Sequence, residues 1–557
     1  SSPRGKIIPV KWFIFIRNCS SRFDQQPPCS AHVNMMADSP ENLFQLAQSL
    51  ESGGDFAAAA DAYRAGLEAA PDTGEAHHNL ARLLRRLGRA GESLPHARRA
   101  AQLLAGRAVA LNSLGQSLEQ SGLAAEAEAA FRDALESEPA HAPAAANLGR
   151  LLETLQRPDE AAAVLVPARN ANPGDAALNV NLANAYLGLG RPHEAAALLG
   201  AATELDTNIA PALNSLGTAH YITGDWAAAA AAFTRAIALD PEFAQARENL
   251  AQTHFQTGDY AKGWPDYEWR WKNPDNHLTK ISFSAPQWDG QPLAGRHLLL
   301  HAEQGYGDAI QFVRFAAAIE KQGGRIILAC QKELVSLLRG ACNLDDVVAL
   351  DGPLPDHQCH AALLSLPRML GISGPWTAGP APYLSAAPDA AWAADAGADM
   401  RIGIAWAGRR RHALDAYRNR SCQALDFLIL AERPGVSLFS LQTGAACEDP
   451  DFKMTDLAPY MTDFAASAAL VKTMDIIVTV DTALAHLAGA LGKPCAVMLA
   501  YTSDWRWNEI EGRNPWYPSV FAFRQPAPGD WTGAFSDLIL AFAAGLPNPG
   551  ESTLKLP

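Results

Sequence analysis

A 34-residue period is the strongest constraint on how this chain can fold. The small residue that follows a leucine recurs at Ala47, Ala81, Gly115, Gly149, Ala183, Gly217 and Ala251, each 34 positions from the last. Seven copies fit without an insertion, and other landmarks keep the same register. A glycine stands seven positions later at 54, 88, 122, 190, 224 and 258, where the fourth copy has Gln156. Small residues fall at Ala59, Ser93, Ala127, Ala161, Ala195 and Ala229, aromatics at Tyr63, Phe131, Phe233 and Tyr267, and prolines at 71, 139, 173 and 241. Small residues let paired helices approach, aromatics fill the space between neighbours, and proline ends the second helix.

This pattern resembles the tetratricopeptide repeat and covers about residues 40–277, implying an all-α solenoid with a long inner groove, a surface suited to binding. The position before the leucine is Asn79, Asn147, Asn181 and Asn249 in four copies. An amide can donate to and accept from an extended backbone without reading its sequence. Similar asparagine ladders occur in O-GlcNAc transferases, which this half resembles. Packing between neighbouring helices, or a solvated face, is the equal alternative. The last copy reads "GWPDYEWRWKNP" at 263–274, and its aromatics are expected to cover the solenoid end and dock the next domain rather than stack on sugar.

From about residue 295 the period changes. Short apolar runs ("RHLLLHAE", "GRIILAC", "DDVVAL") alternate with helix-like segments, and after an Ala/Asp-rich connector the alternation restarts with "RIGIAWAG", "VSLFSLQTG", "DIIVTV" and "PCAVML". Such alternation predicts parallel sheets with covering helices. We assign 278–390 and 400–545 to two α/β halves facing a cleft, and 546–557 to a tail. Residues 1–36 form a basic extension without the repeat's periodicity, expected to be disordered and to lie ahead of a start near Met35 or Met36; a membrane-surface anchor is the alternative.

Two turns carry the chemistry. In "HAEQGYGDAIQF" a strand enters Gln304-Gly305-Tyr306-Gly307-Asp308 and a helix leaves it. Glycines there permit close approach of a ligand, and Asp308 falls at the helix start, where a simple capping role is the competing reading. In "DIIVTVDTALAHLAGALGKP" the turn Asp481-Thr482 follows a buried strand, so the next helix points free amides and a positive dipole end at the cleft, which suits a diphosphate. His486 lies one turn beyond Thr482 and can offer a donor to phosphate or sugar oxygens; a packed structural histidine is the alternative.

Together these motifs resemble the heptosyltransferase-type glycosyltransferases of family 9, and the whole chain resembles bacterial proteins that join tetratricopeptide repeats to such a domain. Their "YEWRW", "RNRS", "SDWRW" and "PGDW" segments stand here at 267–271, 418–421, 503–507 and 528–531. The resemblance implies a GT-B fold of two Rossmann-like domains and an inverting transferase that requires no metal or other cofactor and takes a nucleotide-diphosphate sugar as substrate. It implies Asp308 as general base, with Gln304, Gly305 and Gly307 in the acceptor-side loop. Asp481, Thr482, Ala483, His486, Gly408 and Gln442 fall to the donor, Arg418 or Arg420 to the departing diphosphate, and Asp504 and Trp505 to the sugar. The implied acceptor is a protein or peptide held by the repeats. A scaffold with an inactive, nucleotide-sugar-sensing domain and a transferase acting on lipopolysaccharide or another glycan are the rival readings.

Composition sets the remaining bounds. A net charge of −14 argues against a general nucleic-acid binder, which needs a basic surface. The eight cysteines form no Cys-x-x-Cys pair, so a reducing cytoplasm is expected. His357, Cys359 and His360 in "DHQCH" lack a fourth ligand at zinc-like spacing, so no metal is expected. The basic run Arg409 to Arg411 suits either an anionic ligand or solvent. No apolar run is long enough to span a bilayer, and a homo-oligomer is compatible with this composition.

Overall fold

The computed structural model describes residues 39–276, 278, 281–374, 381–393, 400–408, 420–444, 452–509 and 513–545. Arg418 and the run 409–411, together with the N-terminal extension and the tail, lie outside the described residues.

Each 34-residue copy is a pair of helices, such as Pro40–Ser52 with Phe56–Ala69 and Ala142–Thr154 with Pro158–Ala171. The last pair is Ala244–Gln256 with the shorter Tyr260–Tyr267, extended by a 3-10 turn at Glu268–Trp271. The small residues are a steric necessity: a Cβ on Gly115 would sit 2.5 Å from Phe131 Cε1, and one on Gly149 2.6 Å from Leu165 Cδ1. Between paired helices the glycine takes positive φ, as at Gly54 (84°), and Gln156 follows it at 60°, a conformation costing an L-residue roughly 1–2 kcal/mol. Where Asp follows that glycine its carboxylate caps the next helix, as Asp55 does for Ala58 N and Asp225 for Ala228 N.

The described residues fall into two compact units, one ending at Ser215 and the other beginning at Leu216. The first contains helix pairs alone. The second holds most of the sixth repeat and the seventh together with two parallel sheets. One sheet contains β1 (His297–His301), β2 (Arg325–Cys330), β3 (Asp346–Ala349) and β4 (Cys359–Ala362) in the order β3-β2-β1-β4. The other contains β5 (Met400–Ala405), β6 (Val436–Ser440), β7 (Thr455–Asp456), β8 (Ile476–Val480), β9 (Cys495–Leu499) and β10 (Val520–Arg524), in the order β10-β9-β8-β5-β6-β7. Every pairing is parallel. The central strands are mostly apolar because helices cover both faces, as at β8 and β9, where all residues are buried.

In both sheets the chain reverses direction beside the first strand, between β1 and β4 and between β5 and β8. Ligands of open α/β sheets bind at such switch points, outside the carboxyl ends of the strands. Both motif turns lie there: Gln304-Gly305 follows β1, and Asp481-Thr482 follows β8. One apolar core runs through the unit, from Phe255, Tyr260 and Trp264 of the last repeat, through Leu298 and Ile326, to Val497, Trp516 and Tyr517.

Candidate functional site

The second sheet's switch point gathers five predicted residues. Ala405 of β5 pairs with Thr479 of β8, so the loops that follow, Trp406-Ala407-Gly408 and Asp481-Thr482-Ala483, lie side by side. A Cβ on Gly408 would stand 3.4 Å from Thr482 Cγ2, 3.5 Å from the Asp481 carbonyl oxygen and 3.6 Å from Arg420 Nε. Gly408 N donates to Ser421 Oγ at 3.2 Å, which ties the strand to the segment carrying Arg420. Thr482 is the N-cap of the helix Ala483–Ala490 but makes no side-chain cap; its hydroxyl shares a 3.1 Å hydrogen bond with Thr479. The arrangement offers first-turn amides, a hydroxyl, a guanidinium and a backbone without side-chain bulk, a combination suited to phosphate oxygens.

Gln442 serves this loop from behind. Its Oε1 accepts from Trp406 N and Ala407 N at 3.0 and 2.9 Å, its Nε2 donates to the carbonyls of Ala407 and Thr443, and the residue is 4 % exposed. Where a donor contact was expected, both ends of the amide are taken up by backbone.

On the other half, Asp308 is both cap and ion-pair partner. Its Oδ2 accepts from Gly305 N at 3.2 Å, reaching back to the N-cap of the helix Tyr306–Phe312, while Oδ1 accepts from Arg506 Nη2 at 2.8 Å. Arg506 is a residue that sequence reasoning missed. It also donates to Asp504 Oδ1 (2.9 Å) and Gln311 Oε1 (2.9 Å), with its guanidinium over the Trp505 ring at 4.4 Å. Burial alone would lower its pKa, but the charges of Asp504 and Asp308 outweigh that and push it up. The available signal was a single arginine set in a run of tryptophans beside an aspartate. Gln304 donates from Nε2 to Tyr267 OH at 3.4 Å, and its carbonyl accepts from Gln331 Nε2, so this turn is held by the last repeat and by the end of β2.

The two turns meet at Gly307. A Cβ there would lie 2.6 Å from His486 Cδ2, so glycine lets the histidine's helix close on the Asp308 helix. His486 is 5 % exposed, packs at 4.7 Å against the tilted ring of Trp507 and shares a 3.1 Å hydrogen bond between Nδ1 and Tyr517 OH. These are the surroundings of a packed histidine that sets the spacing of the two turns. Trp505 requires a plain correction. Expected to face the sugar, it is 1 % exposed and lies against Phe255 (4.7 Å), Tyr260 (6.0 Å) and Trp264 (6.0 Å) of the last repeat. A large apolar ring gains more from that aromatic cluster than from a wet cleft. Nearby, Gln256 of the same repeat donates to the Ser503 carbonyl, and Asn508 donates to Gln256. The loop carrying Asp504 and Arg506 is thus fastened to the last repeat.

The asparagine ladder is engaged with neighbouring helices. Asn79 Nδ2 donates to Tyr63 OH at 3.2 Å, Asn147 to Asn112 Oδ1 at 2.9 Å and Asn181 to the Ala146 carbonyl at 2.8 Å. Asn249 lines a small recess with Thr218, Tyr221, Phe233 and Gln252. The "DHQCH" segment contributes packing: His360 stacks on Phe283 at 4.2 Å, and Cys359 Sγ contacts the His297 carbonyl. Among the described residues no group of three His, Cys, Asp or Glu side chains is arranged to hold a metal ion, and no helix is long and apolar enough to cross a membrane.

Burial carries a pH consequence. Desolvation pushes His486 down to about 3, with the Arg506 charge adding to it, and His301 down to about 3, with His360 and Arg270 adding. Both are neutral when folded, and in the unfolded chain they titrate near 6.5. The unfolded state therefore binds more protons between those values, and stability falls as pH drops from 6.5 towards 3. The loss is on the order of a few kcal/mol for each. Denaturant midpoints measured from pH 7.5 to 4.5 should decline and the His486→Gln decline should be shallower; a flat wild-type profile would remove this account.

Residues 442–528 match glycosyltransferase family 9 (heptosyltransferase). Tetratricopeptide repeats match at 40–83, 74–99, 118–178, 155–217 and 214–263. The chain thus joins tetratricopeptide repeats to a segment that matches glycosyltransferase family 9, the one that holds the Asp481 turn. It is similar to Protein FlbA of Caulobacter vibrioides, 27% identical over 311 residues, 49% of this chain and 50% of that protein. The chain therefore spans about half the length of the curated relative it matches. Among solved structures it is similar to the APC/C hetero-tetramer Cut9-Hcn1 (16% identity, 40% of this chain and 44% of that one, TM-score 0.36) and to YrrB, described as a TPR protein with an unusual peptide-binding site (23%, 34% and 96%, TM-score 0.28).

Proposed function

We propose that the protein is an inverting, metal-independent glycosyltransferase of GT-B architecture, with its halves at 278–390 and 400–545. It moves a sugar from a nucleotide-diphosphate donor to a protein acceptor held by the repeats at 40–277, in the cytoplasm. The observation that carries the reading is the convergence at the β5/β8 switch point of Gly408, Arg420, Thr482 and the amide end of Ala483–Ala490. There the diphosphate would lie against amides and Arg420, which takes up charge as the leaving group departs. Asp308, on the facing turn, would accept the proton of the attacking hydroxyl. The free thiols of Cys330, Cys342, Cys359, Cys422 and Cys495 agree with a reducing compartment.

One observation favours the rival, a nucleotide-sugar-sensing scaffold: both Asp308 oxygens are already engaged, by Gly305 and Arg506. Nucleotide release from a panel of nucleotide sugars, with and without lysate proteins as acceptor, separates the two. Acceptor-dependent release from one donor, reduced about 10²–10³-fold in Arg420→Ala, is the expected result. Saturable donor binding with no turnover would assign the protein to the scaffold class.

A further inference from the structure

Within the first unit, neighbouring repeats are cross-linked by a ladder of polar side chains. The positions 51, 85, 119 and 153 are equivalent, as are 82, 116, 150 and 184, and each rung joins one of the first set to the residue 31 places later. Both positions lie on the asparagine-bearing face of the first helix of each pair, since Asn147, Arg150 and Glu153 are three residues apart. Arg82 pairs with Glu51, Arg85 Nη2 donates to Gln116 Oε1 at 2.7 Å, and Arg150 Nη2 meets Glu119 Oε2 at 2.6 Å. In two of these three rungs an arginine of the following repeat neutralises a glutamate.

The fourth rung is broken. Glu153 occupies the carboxylate position, but the following repeat supplies Asn184, and among the described residues no side chain bonds to the Glu153 carboxyl, Gln156 reaching only its backbone carbonyl. Its Oε1 is buried without a hydrogen-bond partner, and its Oε2 lies 3.7 Å from where a Cβ on Gly188 would be. Burial pushes the carboxyl up to about 7. A half-buried carboxylate left in this state is costly, and a guanidinium is the group the same scaffold uses twice to satisfy it.

We infer that Glu153, with Asn184 beside it, is a seat for an arginine side chain of an extended protein segment laid along this face of the repeats. The missing rung is supplied by the partner. This names a chemical feature of the bound protein and rests on the repeat half of the proposed function, independently of sugar transfer.

The probe is a fluorescein-labelled Gly/Ser peptide carrying spaced arginines, with a twin bearing citrulline at each arginine, titrated into the full chain by anisotropy. The arginine peptide should bind wild type about tenfold tighter or more, the scale of a hydrogen bond to a charged group. That preference should vanish in Glu153→Gln and in Asn184→Arg, which restores the internal rung. Glu136→Gln, which removes the same charge from an exposed site on another helix, should leave it unchanged. Melting curves check folding, and Asn184→Arg should melt no lower than wild type. A preference that survives Glu153→Gln, or falls equally in Glu136→Gln, overturns the inference. So does equal binding of both peptides, although that would leave the groove reading intact. Binding of neither overturns the inference and also counts against the repeats as a protein-holding surface.

Discussion

Arg270→Ala is expected to cost about 3–5 kcal/mol, the range for breaking a buried ion pair by removing one partner. Arg270 is fully buried at the end of the last repeat, where Nη2 donates to Glu303 Oε1 at 2.9 Å and Ser365 Oγ at 2.8 Å, and Nη1 donates to Glu268 Oε1 at 2.9 Å. Glu303 is fully buried as well, and its Oε2 has no hydrogen-bond partner, so it depends on this arginine. Burial pushes the Glu303 carboxyl up to about 7 against the pull of Arg270. Without the arginine it would take up a proton to escape being charged in an apolar site, so the cost should be smaller at pH 5.5 than at pH 8. Against a whole-domain stability of about 5–15 kcal/mol, this loss should bring the second unit close to unfolding. Urea midpoints of Arg270→Ala and of Arg270→Met/Glu303→Leu check it. Replacing both partners with apolar groups of similar size should recover most of the loss. A single variant within about 1 kcal/mol of wild type, or a double variant no better than the single, would remove the pair from the forces holding the repeat to the sheet.

The repeat was legible because its determinants are local. Gly115 and Gly149 are small because Phe131 and Leu165, sixteen residues on in the same copy, leave no room for a Cβ. The strand-then-helix pattern around Asp481 and Thr482 likewise places that turn at the carboxyl end of a buried strand, and the switch point brings Gly408 and Arg420 to it. What stayed hidden was non-local. Nothing near Asp308 announces Arg506, 198 residues away, and nothing in "SDWRW" says that Trp505 turns towards the last repeat while Arg506 turns to Asp308. Gln442 misled for the same reason: an amide beside a cleft reads as a ligand contact until its partners, the backbone of residues 406 and 407, are seen. Such assignments depend on which way a side chain turns, and in these cases the deciding partners belong to another element of the fold.

Asp308→Asn should lower transfer by about 10²–10⁴-fold, the usual contribution of a positioned general base, while leaving the protein folded. The substitution keeps the shape and one acceptor oxygen. It cannot accept from both Gly305 N–H and Arg506 Nη2, which now take one carboxylate oxygen each. The structural loss is one hydrogen bond in a partly exposed site, about 1–3 kcal/mol, small enough for donor binding to be measured on folded protein. Arg506 separates a lost base from a disturbed turn. Because it bridges Asp308 and Asp504, Arg506→Met should disorder the placement of Asp308 without removing its carboxylate. Its transfer rate should fall less than that of Asp308→Asn, with a shifted pH profile. If Asp308→Asn instead turns over at the wild-type rate, the carboxylate is a cap and ion-pair partner only, and the proton must leave by another route. If both variants bind donor normally and wild type itself never transfers, Asp308 and Arg506 form a fixed bridge between the two halves, and the crevice beside them reads a nucleotide sugar without consuming it.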